Sequence, residues 1–187
     1  MSVMNGLQKE SNAILKKAIN DTAKQSRKSL ASEAKQTYAV KVSGFNKSMT
    51  IKNATVSKLE ATIKSKGEAM ELGQYKAQPF RVATGASRPK QIKAKVLTQS
   101  SMKSLISGDI KAFVAKFKSG KVAVVERDES RRMKSNPKKA FLKKLLSPSI
   151  PQILGNEKKV YGKVEPEIEN LLSENIRREL QKVMEGR

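Results

Sequence analysis

The chain has 187 residues, enough for one domain with its own core. It carries 39 Lys+Arg against 17 Asp+Glu, a formal net charge of +22, with no histidine and no cysteine. That composition excludes disulfide frameworks, zinc fingers and thiol chemistry, and it removes the usual histidine general base and metal ligand.

The charge suits a polyanionic partner such as nucleic acid, an anionic membrane surface or an acidic protein face, although a lysine-rich surface also serves solubility. It is unevenly spread. Residues 1–60 contribute +7, 61–110 +6 and 111–150 +9, while 151–187 balance to zero. Aromatic residues are 4% with no Trp, which argues against a stacking platform for single strands. A hydrophobic content of 37% is low for a self-sufficient monomer, so part of the stability is expected from assembly. The N-terminal residues lack the apolar core of a signal peptide, and no apolar run approaches the roughly 18 residues of a membrane span. The expectation is a soluble protein of a reducing compartment, or of a particle assembled there, with no membrane partner.

From Ser2 to Ala34 there is no proline, and Leu7, Ile14, Leu15, Ala18, Ile19, Thr22, Ala23, Ser26 and Leu30 fall near three- and four-residue spacing. This predicts a long helix with a weakly apolar, small-residue stripe suited to close packing on another helix or a neighbouring subunit. Tyr38 to Met49, with Val40, Val42, Phe45 and Met49 around Ser43-Gly44, reads as a turn and a short second helix. Lys58 to Lys66 places Leu59, Ala61 and Ile63 on one face of a strand. Ala69 to Lys76 reads as an irregular or single-turn connection. Pro79 to Ala83 and Gln91 to Val96 read as two further short strands around an exposed loop, Gly85 to Lys90. Met102, Leu105 and Ile106 suggest one helical turn within 101–110.

The richest stretch is Lys111 to Leu154. Two alternating runs, Ala112 to Phe117 and Lys121 to Arg127, are joined by Lys118-Ser119-Gly120 and read as a β-hairpin whose glycine supplies a positive φ. Asp128-Glu129 beside Arg131-Arg132 reads as a charged loop. Arg131 to Lys144 then carries Arg131, Arg132, Lys134, Lys138, Lys139, Lys143 and Lys144 without one acid. This block has two readings, phosphate contact through unspecific charge pairing or a solvated loop. Phe141, Leu142, Leu145 and Leu146 require its second half to pack somewhere. In the closing stretch, Ser147 to Leu154, the segment Ser147 to Pro151 should be extended, because each residue before a proline is pushed out of the helical region. Within the whole stretch Ser147, Pro148, Ile150, Pro151, Ile153 and Leu154 are candidates for a protein interface.

The last element is an amphipathic helix in which Val164, Ile168, Leu171, Leu172, Ile176, Leu180, Val183 and Met184 repeat down one face. Ile168, Leu171, Leu172, Ile176 and Leu180 are its expected core residues, buried against the sheet or a neighbour. Glu165, Glu167 and Glu169 near its start and Arg177, Arg178 and Lys182 near its end match the helix dipole, so the acids need no catalytic explanation. Pro166 fits a first turn, and Asn156 is an alternative cap for an earlier start. The elements sum to an α+β fold: a long N-terminal helix (residues 1–34, extended from the body or packed on it), a mostly antiparallel sheet of about five short strands with the hairpin at 112–127, and the C-terminal helix, all in a single domain over 1–187. Glycines 44, 67, 73 and 85 form no phosphate-cradling loop. No catalytic residues, metal site or cofactor are expected, and the chain does not read as an enzyme.

The hairpin KAFVAKFKSGKVAVVER, the following LKKLLSPSIPQIL, the helix ending IRRELQKVM and the earlier KNATVSKLEATIKSKGEAMELGQYK together resemble the minor tail protein Z family, the tail-completion proteins of long-tailed phages and prophages. The resemblance runs from about Ala13 to Met184. It implies a structural virion protein of the tail or neck, assembled in the host bacterial cytoplasm, that completes the tail and permits head joining. It further implies a homo-oligomeric ring, expected six-fold, around the DNA path. Tail terminator, head–tail connector and tape-measure-like proteins would be its neighbours, and its contact with DNA would be non-specific. The alternative class is a free basic nucleic-acid-binding protein, associated with nucleoid or ribosome.

Overall fold

The computed structural model describes residues 2–41, 44–107 and 109–185, with side chains from Gln8 onward except at Ser107. The fold is α+β, and the chain forms two compact units. One comprises Met1–Lys35, Gly44–Gly67 and Ile150–Arg187; the other comprises Gln36–Ser43 and Glu68–Ser149.

The first unit is built on α1 (Ser2–Thr37). Its buried face carries Ala18, Thr22, Ala23, Ser26, Leu30 and Ala34. Thr22 Oγ1 donates to the Ala18 carbonyl and Ser26 Oγ to the Thr22 carbonyl, both at 2.8 Å, so these hydroxyls are satisfied by their own helix and can be buried. The C-terminal helix α3 (Tyr161–Met184) packs on this face. Lys163 Nζ reaches Glu33 at 2.7 Å, Ser29 Oγ donates to Glu167 at 2.7 Å, and Asn175 Nδ2 donates to Thr22 Oγ1 at 2.9 Å. Lys17 Nζ meets Glu179 at 2.7 Å. The pairs descend α1 as they climb α3, so the two helices are antiparallel.

The contact is narrower than the apolar pattern of α3 predicts. Val164, Asn175 and Glu179 are its buried residues; Ile168, Leu171, Leu172 and Ile176 are half-buried, and Leu180 is 46% exposed. Within a single chain the expectation of a core formed by all five apolar residues is therefore corrected, and their burial against a neighbour is a matter of the assembly. The facing side of α1 is small and polar, so it accepts Asn175 and Glu179 at the centre and leaves the leucines at the margin.

The same unit holds the two-stranded sheet of β1 (Met49–Lys52) and β2 (Thr62–Ser65), in register at Ile51↔Ile63. In place of the second helix expected before Met49 there is one short turn, Asn46–Ser48, because Met49 already pairs with Ser65. Val42 and Ser43 lie outside the described residues. Asn20 brackets Ala54, accepting from its N–H at 2.7 Å and donating to its carbonyl at 3.2 Å, which ties the β1–β2 connection to α1. The strand expected from Lys58 starts only at Thr62, since Thr55 and Lys58 are bonded to each other in a turn.

Next in this unit is α2 (Ile150–Leu154), which corrects the extended reading of 147–151 at Ile150 and Pro151. Pro151 occupies its first turn, where the missing N–H costs no helical bond. Asn156 leads into α3 through its carbonyl, which accepts from Val160 and Tyr161, and Pro166 lies inside α3.

The second unit is all antiparallel. β3 (Met70–Glu71) pairs with β12 (Leu146–Ser147), and β4 (Lys76–Gln78), β5 (Lys93–Lys95) and β6 (Lys103–Ser104) form one three-stranded sheet. β7 (Ile106–Ser107) pairs with β8 (Ile110–Lys111), and β9 (Phe113–Lys116), β10 (Val122–Met133) and β11 (Asn136–Lys144) form the other three-stranded sheet. The expected strand at 79–83 is absent, its place taken by β4 immediately before it. Pro79 has no N–H for the ladder, and the chain leaves the sheet there. The helical turn expected in 101–110 is also absent among the described residues. Leu105 N–H bonds the Ile92 carbonyl and Ala112 N–H bonds the Leu105 carbonyl, so cross-strand partners take the groups a helix would use. Tyr75, Ile92, Val124 and Val125 are the largest fully buried side chains of this unit, and Tyr75 Oη donates to the Pro148 carbonyl at 2.8 Å.

Candidate partner and polyanion interface

The sequence hairpin is present, and it is the root of something longer. Gly120, at φ +80°, closes the β9–β10 turn, and Phe117 N–H bonds the Lys121 carbonyl at 2.8 Å. Val122 to Val125 pair with Lys116 to Phe113, and from Val125 onward β10 pairs with β11, from Val125↔Lys144 to Met133↔Asn136. β10 is thus covered on both edges only near Val125. Beyond it β10 and β11 continue as a two-stranded arm that turns at Lys134-Ser135. Burial follows this change: Ala123, Val124 and Val125 are fully buried, while residues 129–132 are exposed. The charged loop at 128–132 and the block read either as a phosphate contact or as a solvated loop are both part of this paired arm.

Its register shifts between Asp128↔Phe141 and Arg132↔Ala140, a bulge on β10. Asp128 stabilises it by accepting from the Ser130 hydroxyl, from Ser130 N–H at 3.2 Å and from Arg131 Nε at 2.8 Å. Bonding to Ser130 and then to Arg131 holds the Asp128 carboxyl below its usual range. The Arg131 guanidinium lies 4.3 Å from the Phe141 ring centroid.

The seven cationic candidates are therefore unequal. Arg131 is paired with Asp128, Lys143 with Glu126 at 2.9 Å, and Lys144 with Glu71 at 2.7 Å. Arg132, Lys134, Lys138 and Lys139 are exposed and have no acidic partner among the described residues. These four are what the arm offers to a polyanion.

The residues from Ser147 to Leu154 divide differently. Ser147, Ile153 and Leu154 are buried within the chain and serve its packing. The Pro148 carbonyl is taken by Tyr75, and Pro148, Ile150 and Pro151 are half-buried.

A surface missed in the sequence lies on the β9–β11 sheet, a groove of about 850 Å³. Phe117, Met133, Phe141, Leu142 and Leu146 line it, and Lys116, Lys118 and Lys134 stand around it. The signal was the apolar pair Phe141-Leu142 inside a cationic run. Only the pairing of β11 with β10 brings it beside Phe117 and Met133.

Among the described residues no helix is long and apolar enough to cross a membrane. No curated protein and no solved structure matches the chain. The family model described as Prophage minor tail protein Z (GPZ) matches residues 1–185. The chain, a basic α+β protein with an exposed cationic arm, belongs to that family and is a structural component of a phage tail.

Proposed function

We propose that the protein completes the tail at its head-proximal end and permits joining to the filled head. In this reading several copies form a ring, six-fold, around the path of the DNA. The copies assemble in the host bacterial cytoplasm and meet tail terminator, head–tail connector and tape-measure-like proteins. The observation that carries the reading is the arm, four unpaired cations on exposed paired strands in a tail protein of net charge +22. Such an arm meets a passing duplex through phosphates without reading bases, since no base-reading motif accompanies it. A neck component has to tolerate any sequence that passes.

The test is a prophage carrying Arg132→Gln, Lys134→Gln, Lys138→Gln and Lys139→Gln. All four side chains are exposed, so the fold should survive. The expected result is tail tubes of normal length, a fall in infectious titre, and separate filled heads and tails in the lysate. A normal titre with joined particles would remove the arm from any late step.

A further inference from the structure

Two surfaces of this chain are complementary to each other. At 100° per residue, Glu165, Glu169, Leu172, Ile176, Leu180 and Val183 share one side of α3, centred about 100° around the helix from the buried Asn175, with Leu172 bordering Glu179. Leu180 and Val183 are 46% and 53% exposed. In a chain of net charge +22 this stripe holds no Lys or Arg. The groove on the β9–β11 sheet has the opposite character. Its floor is apolar, with Phe141 and Leu146 36% and 58% exposed, and no acid lines it. Lys116, Lys118 and Lys134 at its rim have no acidic partner among the described residues.

We propose that the groove of one copy receives the α3 stripe of the next copy. The proposal rests on the ring reading above and names the surfaces that would close it. Leucine rows on an aromatic floor supply buried apolar area, and Glu165 and Glu169 against the rim lysines set orientation. A phosphate backbone has no use for a Phe-Leu floor, which distinguishes this surface from the arm's free cations, of which Lys134 alone also stands at the groove. The contact joins two different patches, so an open row keeps one groove free at one end and one stripe free at the other until it closes on itself.

The experiment is light scattering on the full chain over a wide concentration range. It compares the wild type, a groove variant (Lys116→Glu, Lys118→Glu, Lys134→Glu), a stripe variant (Glu165→Lys, Glu169→Lys) and one chain with all five changes. All five positions are exposed, and circular dichroism checks the fold of each protein. The wild type should self-associate, and each variant alone should associate at least about tenfold more weakly. Mixing the two variants should restore assembly, because each mutant groove then meets a mutant stripe and each native groove a native one. The five-change chain should recover it alone. A wild type that stays monomeric overturns the proposal together with self-assembly in solution. Undiminished assembly of both variants, or loss without rescue, overturns this contact and leaves the ring reading standing.

An independent measurement uses the absence of native cysteine. Leu146→Cys with Leu180→Cys should give a ladder of cross-linked chains under oxidation, and an intrachain bond or no bond contradicts the proposal.

Discussion

At the scale of single residues, Glu179 has an environment that the helical pattern does not reveal. It is 4% exposed and lies between Lys17 and Lys182, each at 2.7 Å, with Arg178 Nε at 3.5 Å. Hydrogen bonds from Lys17 and Lys182 bring its carboxyl down to about 2, against desolvation that pushes the other way. The folded state thus binds this proton less readily than the unfolded chain, whose glutamate titrates near 4.5. The resulting stability is fully present above that value and is lost as pH falls toward 2. Urea midpoints measured from pH 6 down to 2 should fall more steeply for the wild type than for Glu179→Gln. Parallel curves would mean that Glu179 is not linked to folding. Ser147 is the converse case, a buried hydroxyl with no hydrogen-bond partner among the described residues. Its removal in Ser147→Ala relieves an unsatisfied group, so the thermal midpoint should hold or rise, by up to about 1 kcal/mol of stability. A clear fall would reveal a partner for the hydroxyl.

At the scale of elements, the entry to α3 depends on Gly162. A Cβ built there would lie 2.3 Å from the Glu157 carbonyl oxygen, which accepts the Gly162 N–H at 3.0 Å. The obstacle is backbone, so Gly162→Ala must displace the turn before the helix and should cost about 1–3 kcal/mol, read from the denaturation midpoint. An unchanged midpoint would show that the turn yields freely. Leu172→Ala should cost about 1–2 kcal/mol, below the 2–5 of a fully buried leucine, because Leu172 is only half-buried. The periodicities located both long helices and the 112–127 hairpin, since a repeat of three and four or of two is a local property. What escaped them depends on partners distant in sequence. The short strands at 103–111 exist through bonds to Ile92 and to one another, and β1 through its pairing with β2. The polar centre of the helix pair was invisible for the same reason: Asn175 becomes a core residue only because Thr22 and Gln25 face it.

At the scale of the whole molecule, the charge excess has to be matched by something outside the chain. Residues 111–150 hold +9 of the +22, and the fold neutralises Arg131, Lys143 and Lys144 internally while leaving Arg132, Lys134, Lys138 and Lys139 to solvent. The number of cations in the block was legible in the sequence, but this division was not. It follows from strand register, which sets Lys143 opposite Glu126 and brings β12 against β3, so that Lys144 meets Glu71. The division has a measurable consequence for duplex DNA. Each phosphate contact by a free cation releases counterions and steepens the fall of log binding constant with log salt by about 0.9. Neutralising the four free residues to glutamine should flatten that slope by up to about 3.6 and weaken binding alike for unrelated sequences. Lys143→Gln with Lys144→Gln changes two formal charges, yet both lysines already have carboxylate partners, so the slope should move by less than about 1. Fluorescence anisotropy with a labelled duplex across a salt series distinguishes the two. Equal effects per charge removed would mean that DNA responds only to the net charge of the protein, and the arm would then have no special place in the contact.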